Sequence, residues 1–178
     1  HLEGVWEEPD DGIWEVRGPR RHFTHSKVMA WVAFDRAVRM AGELGDEARK
    51  VGAAPFDPDR AARWAALRDR IHDEVCREGW NDTVGSFTQH YGSTELDASL
   101  LMMAPVGFLP PGDRRIVATI EAIQRELYVD GFVRRYRTDD GPGAIGGLPP
   151  SEGAFLLPTA RLAHTLALTL PTPNFVPL

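Results

Sequence analysis

Apolar residues recur at helical spacing in three long stretches. Between about His22 and Leu44, Val28, Trp31, Val32, Phe34, Val38 and Ala41 cover most of a helical surface, while Arg36, Arg39 and Glu43 share one polar face. So wide an apolar surface predicts a helix packed on more than one side. Trp64, Leu67, Ile71 and Val75 repeat the spacing in a second helix, with Asp57 as its N-cap, Pro58 at the first helical position and Gly79 as its stop. Asp113 caps a third, in which Ile116, Ile120, Ile123 and Leu127 keep the i, i+4, i+7 pattern.

Shorter elements lie between and after these. Ser86–Tyr91 reads as extended, and Ser93 or Thr94 is expected to cap a short apolar helix from Leu96 to about Ala104, ended by Pro105 and the Gly107–Pro111 stretch. Phe132–Arg137 is extended again, and a Gly/Pro loop follows from Asp139 to Pro150. A last helix is expected from about Gly153 to Leu168, and Pro171, Pro173 and Pro177 keep the tail from continuing it. About five helices, long loops, no convincing sheet and no clean repeat predict an all-α fold, either a helical bundle or part of a helical toroid.

The length, 178 residues, is that of one ordinary domain. A net charge of −6 argues against a phosphate backbone as partner, so no nucleic acid is expected; no apolar run is long enough for a membrane span. A neutral polyol such as a sugar suits this balance without being selected by it. Cys76 is the single cysteine, which excludes an internal disulfide, and its place between Val75 and Arg77 reads as a buried structural thiol. The start, His1-Leu2-Glu3-Gly4, has neither an initiator Met nor a charged-then-apolar leader, so it reads as a cut inside a longer, cytoplasmic protein. Asn81-Asp82-Thr83 matches a glycosylation acceptor, relevant only in a secreted context.

Candidate chemistry lies at the two ends, where Glu7-Glu8-Pro9-Asp10-Asp11-Gly12-Ile13-Trp14-Glu15 and Ser151-Glu152-Gly153-Ala154-Phe155 each set carboxylates beside a turn signal and an aromatic. Two carboxyls brought together from distant segments are what glycosidic hydrolysis needs, one to protonate the leaving oxygen and one to activate water or attack the sugar. Ile13, Trp14 and Val16 around Glu15 predict a partly buried carboxyl, disfavoured in its charged form and suited to act as an acid. Glu152 at a helix start is expected to stay ionised, which suits a base.

Other features compete. Gly141 to Gly146 spells G-x-G-x-x-G, but Leu148-Pro149-Pro150 follows where that fingerprint needs a helix. His22 and His25 stand at i, i+3 without a matching carboxylate or thiol, so no metal and no cofactor is expected. Trp6 and Trp14 could stack on a sugar face or pack in the core. Arg17, Arg20 and Arg21 form a basic cluster better matched to ion pairs with Glu7, Glu8, Asp10 and Asp11 than to an anion site. No Ser–His–Asp order is evident.

These segments carry a family resemblance. Pro9 to Gly18, with Gly12-Ile13-Trp14-Glu15-Val16-Arg17 at its centre, and Arg21-His22-Phe23-Thr24-His25-Ser26-Lys27 resemble glycoside hydrolase family 15, which includes glucoamylases, glucodextranases and bacterial-type trehalases. Tyr91-Gly92-Ser93-Thr94-Glu95-Leu96-Asp97-Ala98-Ser99-Leu100-Leu101, Val106-Gly107-Phe108-Leu109-Pro110 and Glu152-Gly153-Ala154-Phe155-Leu156 continue it in order. The resemblance implies an α/α toroid of six helical hairpins, of which about half is present, and inverting hydrolysis of an α-glucoside such as trehalose. It implies Glu15 as general acid and Glu152 as general base; Trp6, Trp14 and Arg17 are the candidate substrate-binding residues. Val16 stands where fungal glucoamylases place a second acidic residue, which brings the chain closer to the trehalase-like members.

By this comparison residues 1–157 are the C-terminal half of a catalytic domain, and 158–178 are an atypical helix and Pro-rich tail of frameshifted or foreign origin. The missing N-terminal half of the domain is then the expected partner, and a truncated, inactive chain with weak sugar binding is the alternative to an enzyme.

Overall fold

A computed structural model describes residues 1–16, 18–52, 57–137 and 154–169. Its framework is a pair of long helices, α2 (Thr24–Lys50) and α3 (Pro58–Glu78), packed on each other and preceded by one turn of helix, α1 (Leu2–Val5). Asp57 caps α3 as the sequence predicts, its carboxylate accepting from the N–H groups of Asp59 and Arg60, and Gly79 ends it with its N–H on the Val75 carbonyl at 2.9 Å. Helix α2 begins two residues later than expected, because Phe23 still pairs as an extended residue with His90. It also continues past Leu44 to Lys50, where Glu47 and Lys50 form an i, i+3 ion pair at 2.6 Å.

Two small antiparallel sheets replace the expected absence of any. β1 (Trp80–Asn81) pairs with β2 (Ser86–Phe87). Beyond α4 (Arg114–Leu127), β3 (Tyr128–Val129) turns back on β4 (Phe132–Arg134) through Asp130 and Gly131, both at positive φ (51° and 87°). Asp-Gly is the residue pair that a two-residue hairpin turn of this hand favours. β4 also pairs with β5 (Ala154–Phe155), and so the last helix, α5, starts at Leu156 rather than near Gly153 and runs to Thr169. The short apolar helix is a 3₁₀ helix, Ala98–Met102, capped by Asp97 and not by Ser93 or Thr94. Ser93 instead turns its own loop, its Oγ accepting from Glu95 N at 2.9 Å.

The core runs between the helical pair and α4. Val28, Trp31 and Phe34 of α2 and Ile71 and Val75 of α3 join Phe87, Leu100, Leu101 and the Ile116–Ile120–Ile123–Leu127 stripe of α4. Leu162 of α5 and Val133 of β4 close one end of it. Lys27 is buried there too, its ammonium donating to the backbone oxygens of Trp6 and Glu8, which holds the segment after α1 against α2. Cys76 is half-buried rather than buried, and that burial pushes its thiol up. Among the described residues, no helix is long and apolar enough to cross a membrane.

Candidate active site

The acidic segment near the N-terminus folds into a turn closed at its base. Asp10 and Arg21 exchange two backbone hydrogen bonds, at 2.9 and 3.0 Å. The Asp10 carboxylate then reaches inside, accepting from Gly12 N at 2.6 Å and from Ser26 Oγ at 2.9 Å. Gly12 sits at φ 70° directly on the Phe23 ring, where an added Cβ would lie 3.0 Å from ring carbons, so glycine is required on two counts. The turn tightens through Glu15 N donating to Gly12 O (3.2 Å) and Val16 N donating to Asp11 O (3.0 Å).

Within this turn Glu15 occupies the left-handed region, φ 49°, uncommon for a residue with a side chain and costly outside a functional context. Its neighbour Trp14 is tied to a separate segment. The Trp14 indole Nε1–H donates to both carboxylate oxygens of Asp97, at 2.9 and 3.1 Å, and the Arg135 guanidinium lies 5.5 Å from the ring centre. Asp97 is itself buried, and it also accepts from Gln89 Nε2 (3.1 Å) and Ser99 N (2.7 Å).

Two of the cavities around the turn are lined by Ile13, His25 and Met29. One, of about 610 Å³, is lined by Asp10, Gly12, Ile13, Glu15, His25 and Met29 among others. The second, about 240 Å³, lies beyond Ile13, His25 and Met29 and is bounded by Trp14, Ser99 and Arg161. Burial holds the His25 imidazole below its ordinary range, against the charges of Asp97 and Asp10. A neutral imidazole on a cavity wall can offer a donor or an acceptor to a hydroxyl, and the carboxyl of Glu15 can give up or take a proton there.

The sequence candidates do not all converge. Glu15 lines the larger cavity, but its side chain is exposed: Ile13 is itself 50% exposed and Trp14 half-buried, so the flanking residues do not supply the expected burial. Glu152 and Arg17 lie outside the described residues, as does the glycine string at 141–146. Of the two readings for Trp6, core packing describes its placement: it is 4% exposed, with Arg70 over its ring at 5.1 Å. Trp14 is half-buried beside the acid turn.

The basic cluster pairs in part as expected. Arg20 meets Asp11 at 3.3 Å, while Arg21 contacts His90 Nε2 at 3.2 Å and Glu7 takes Arg70. His22 precedes α2 and stacks on Tyr91, so it does not share a helical face with His25. Among the described residues, no group of three or more His, Cys, Asp or Glu is placed to hold a metal. Asp97 and Phe23 shape the site without standing out as site candidates in the sequence, and Asp10, expected there as an ion-pair partner, holds the turn instead. The usable signal for Asp97 was a carboxylate set between the apolar residues Leu96 and Ala98.

Comparison with known proteins bears on this geometry. The family model described as glycosyl hydrolases family 15 matches residues 1–171, running past Leu157 and through α5. A trehalase of Thermoplasma acidophilum is 40% identical over 168 residues, 94% of this chain and 26% of the relative. A trehalase of Mycobacterium tuberculosis is 44% identical over 164 residues, 90% of this chain and 22% of the relative. A glycosidase solved in complex with glucose superposes with a TM-score of 0.71 at 26% identity, covering 94% of this chain and 39% of that one. The chain thus spans about a quarter of the length of these curated relatives. It belongs to glycosyl hydrolase family 15.

Proposed function

We propose that this chain is the acid- and base-bearing part of a catalytic domain that hydrolyses an α-linked glucoside with inversion, trehalose being the favoured substrate. The observation that carries the reading is Glu15 itself. A non-glycine residue is held at positive φ in a closed turn, with its carboxyl at the rim of a cavity large enough for a sugar ring. The names of the relatives supply the substrate class, and the order of the motifs supplies Glu152 as partner.

In this mechanism the Glu15 carboxyl gives its proton to the glycosidic oxygen as the C1–O bond breaks. Water attacks C1 from the opposite face and loses a proton to the Glu152 carboxylate. The two carboxyls must then stand about 6.5–9.5 Å apart to admit that water. Inversion at one ring of an α,α-linked disaccharide yields one β-glucose and one α-glucose. On this reading the described helices form part of an α/α toroid whose other hairpins come from outside this chain and cover Glu15.

A second reading is favoured by the exposure of Ile13 (50%), Leu156 (74%) and Leu157 (64%). Apolar side chains so placed suit an inner face awaiting the rest of a toroid, and the chain alone then binds sugar weakly without turning it over. One experiment separates the two. The purified chain is offered trehalose, maltose and isomaltose, and the anomers released are followed by proton NMR. The enzyme reading expects equal amounts of α- and β-glucose from trehalose before mutarotation, and a rate falling about 10²–10⁴-fold in Glu15→Gln and in Glu152→Gln. Turnover that survives either substitution refutes the assignment, and a folded but inert wild type supports the second reading.

A further inference from the structure

We propose that Asp97 is the positioning residue of the proton donor: its buried carboxylate holds the Trp14 indole, and through it the turn that presents Glu15. The inference rests on the reading of Glu15 as the acid.

Asp97 is 2% exposed, and three donors from three separate segments converge on it: the Trp14 indole, the Gln89 amide and the Ser99 backbone N–H. As a helix cap it needs the Ser99 bond alone. The remaining lone pairs of a buried carboxylate must be satisfied or cost free energy, and here they are spent on tying the acid turn to the residues around the 3₁₀ helix. The indole spans both oxygens, which fixes the plane of the ring as well as its distance, and Arg135 lies over one face.

Trp14 and Glu15 share one peptide unit, and Glu15 is already held at φ 49°. A ring that swings away from Asp97 therefore turns the peptide that sets the direction of the Glu15 carboxyl. Displacing a reacting group by about 1 Å costs on the order of 10²-fold in rate. The Asp97 charge is also felt at His25, on the wall of the same cavity, where it opposes the effect of burial. One carboxylate is thus linked to two groups, Glu15 and His25, that line one cavity.

The test begins with the chain itself, carrying ¹⁵N-labelled tryptophan. The Trp14 indole N–H, identified by its loss in Trp14→Phe, is expected to exchange with solvent at least tenfold more slowly than free tryptophan. In Asp97→Asn, where one acceptor oxygen replaces two, the indole is expected to shift upfield and exchange at least tenfold faster. On trehalose, Asp97→Asn is expected to lower kcat about 10–100-fold with KM within about twofold. Trp14→Phe is expected to lower it similarly, and the double variant no further, since both remove one interaction.

An indole in the wild type that exchanges as fast as free tryptophan overturns the proposal. So does an unchanged kcat in Asp97→Asn, or losses that multiply in the double variant. If Asp97→Asn does not fold, wild-type indole exchange and the kcat–KM split in Trp14→Phe decide. A wild type that turns over no α-glucoside supports the second reading of function, while the indole measurement still judges whether Asp97 holds the turn.

Discussion

Helix α4 and the Glu15 turn are both short, and they are specified in opposite ways. Everything that makes α4 lies inside it or one residue away. Asp113 caps it by accepting from Arg115 N at 2.9 Å, and Ile116, Ile120, Ile123 and Leu127 all face the core at 4% exposure or less. The Glu15 turn has little of its own to stand on. Its base is closed by Arg21, its floor is Phe23, and its Trp14 is anchored on Asp97, 83 positions along the chain. The helix buries the apolar stripe that forms it, whereas the turn exposes the Glu15 carboxyl and holds it on a left-handed residue. On the proposed reading, stability resides in the first region and chemistry in the second, as expected where a rigid scaffold positions a functional loop.

Removing packing from α4 is the strongest way to test that division. Ile123 is fully buried, and truncating such a side chain to alanine costs about 2–5 kcal/mol, lost transfer energy plus the cavity left behind. Ile123→Ala is expected to lower the urea midpoint accordingly. A loss under about 1 kcal/mol would mean that the site relaxes freely and that α4 is not the stabilising centre.

The base of the turn gives a contrasting result through pH. His90 donates from Nδ1 to the Tyr91 carbonyl at 3.0 Å and accepts at Nε2 from Arg21, so its neutral form is the one that fits. Burial holds this imidazole below its ordinary range; the Arg21 charge adds to that, and the Tyr91 bond and Glu95 oppose it. The unfolded chain then binds the proton more readily than the folded one. Stability is complete above the ordinary histidine pKa of about 6.5 and falls as pH drops through it. Urea melts at pH 7.5 and 5.5 should show this loss, and His90→Gln should reduce the slope. A wild type more stable at pH 5.5 would reverse the sign of the argument.

The same contrast explains what could be read from the sequence. The caps Asp57 and Asp113 and the stripe on α4 are local chemistry at fixed spacing, and they appear in the structure where the pattern puts them. The Asp130-Gly131 turn signal is also local, but strands of two and three residues are too short to show alternation, so the hairpin does not declare itself as a sheet. Glu15 was legible as a candidate from its setting, and its exposure was not, because burial there depends on segments far away in sequence. Asp97 is the extreme case. As a residue in an apolar stretch it looked like part of a short helix, and only the fold brings Trp14, Gln89 and Ser99 to its carboxylate.

The smallest effect expected is the sharpest test of the strain stored in the turn. At φ 49° a Cβ crowds its own backbone, which costs a residue other than glycine about 1–2 kcal/mol, partly offset by the greater chain entropy glycine loses on folding. Glu15→Gly is therefore expected to be more stable than Glu15→Ala by about 0.5–1 kcal/mol, since both lack the carboxyl and only one keeps the Cβ. The pair isolates the backbone from the side chain, and both variants are expected to be inactive on trehalose. Equal urea midpoints for the two would mean that the left-handed conformation costs nothing, and that Glu15 stands there without the constraint on which its role as proton donor is argued.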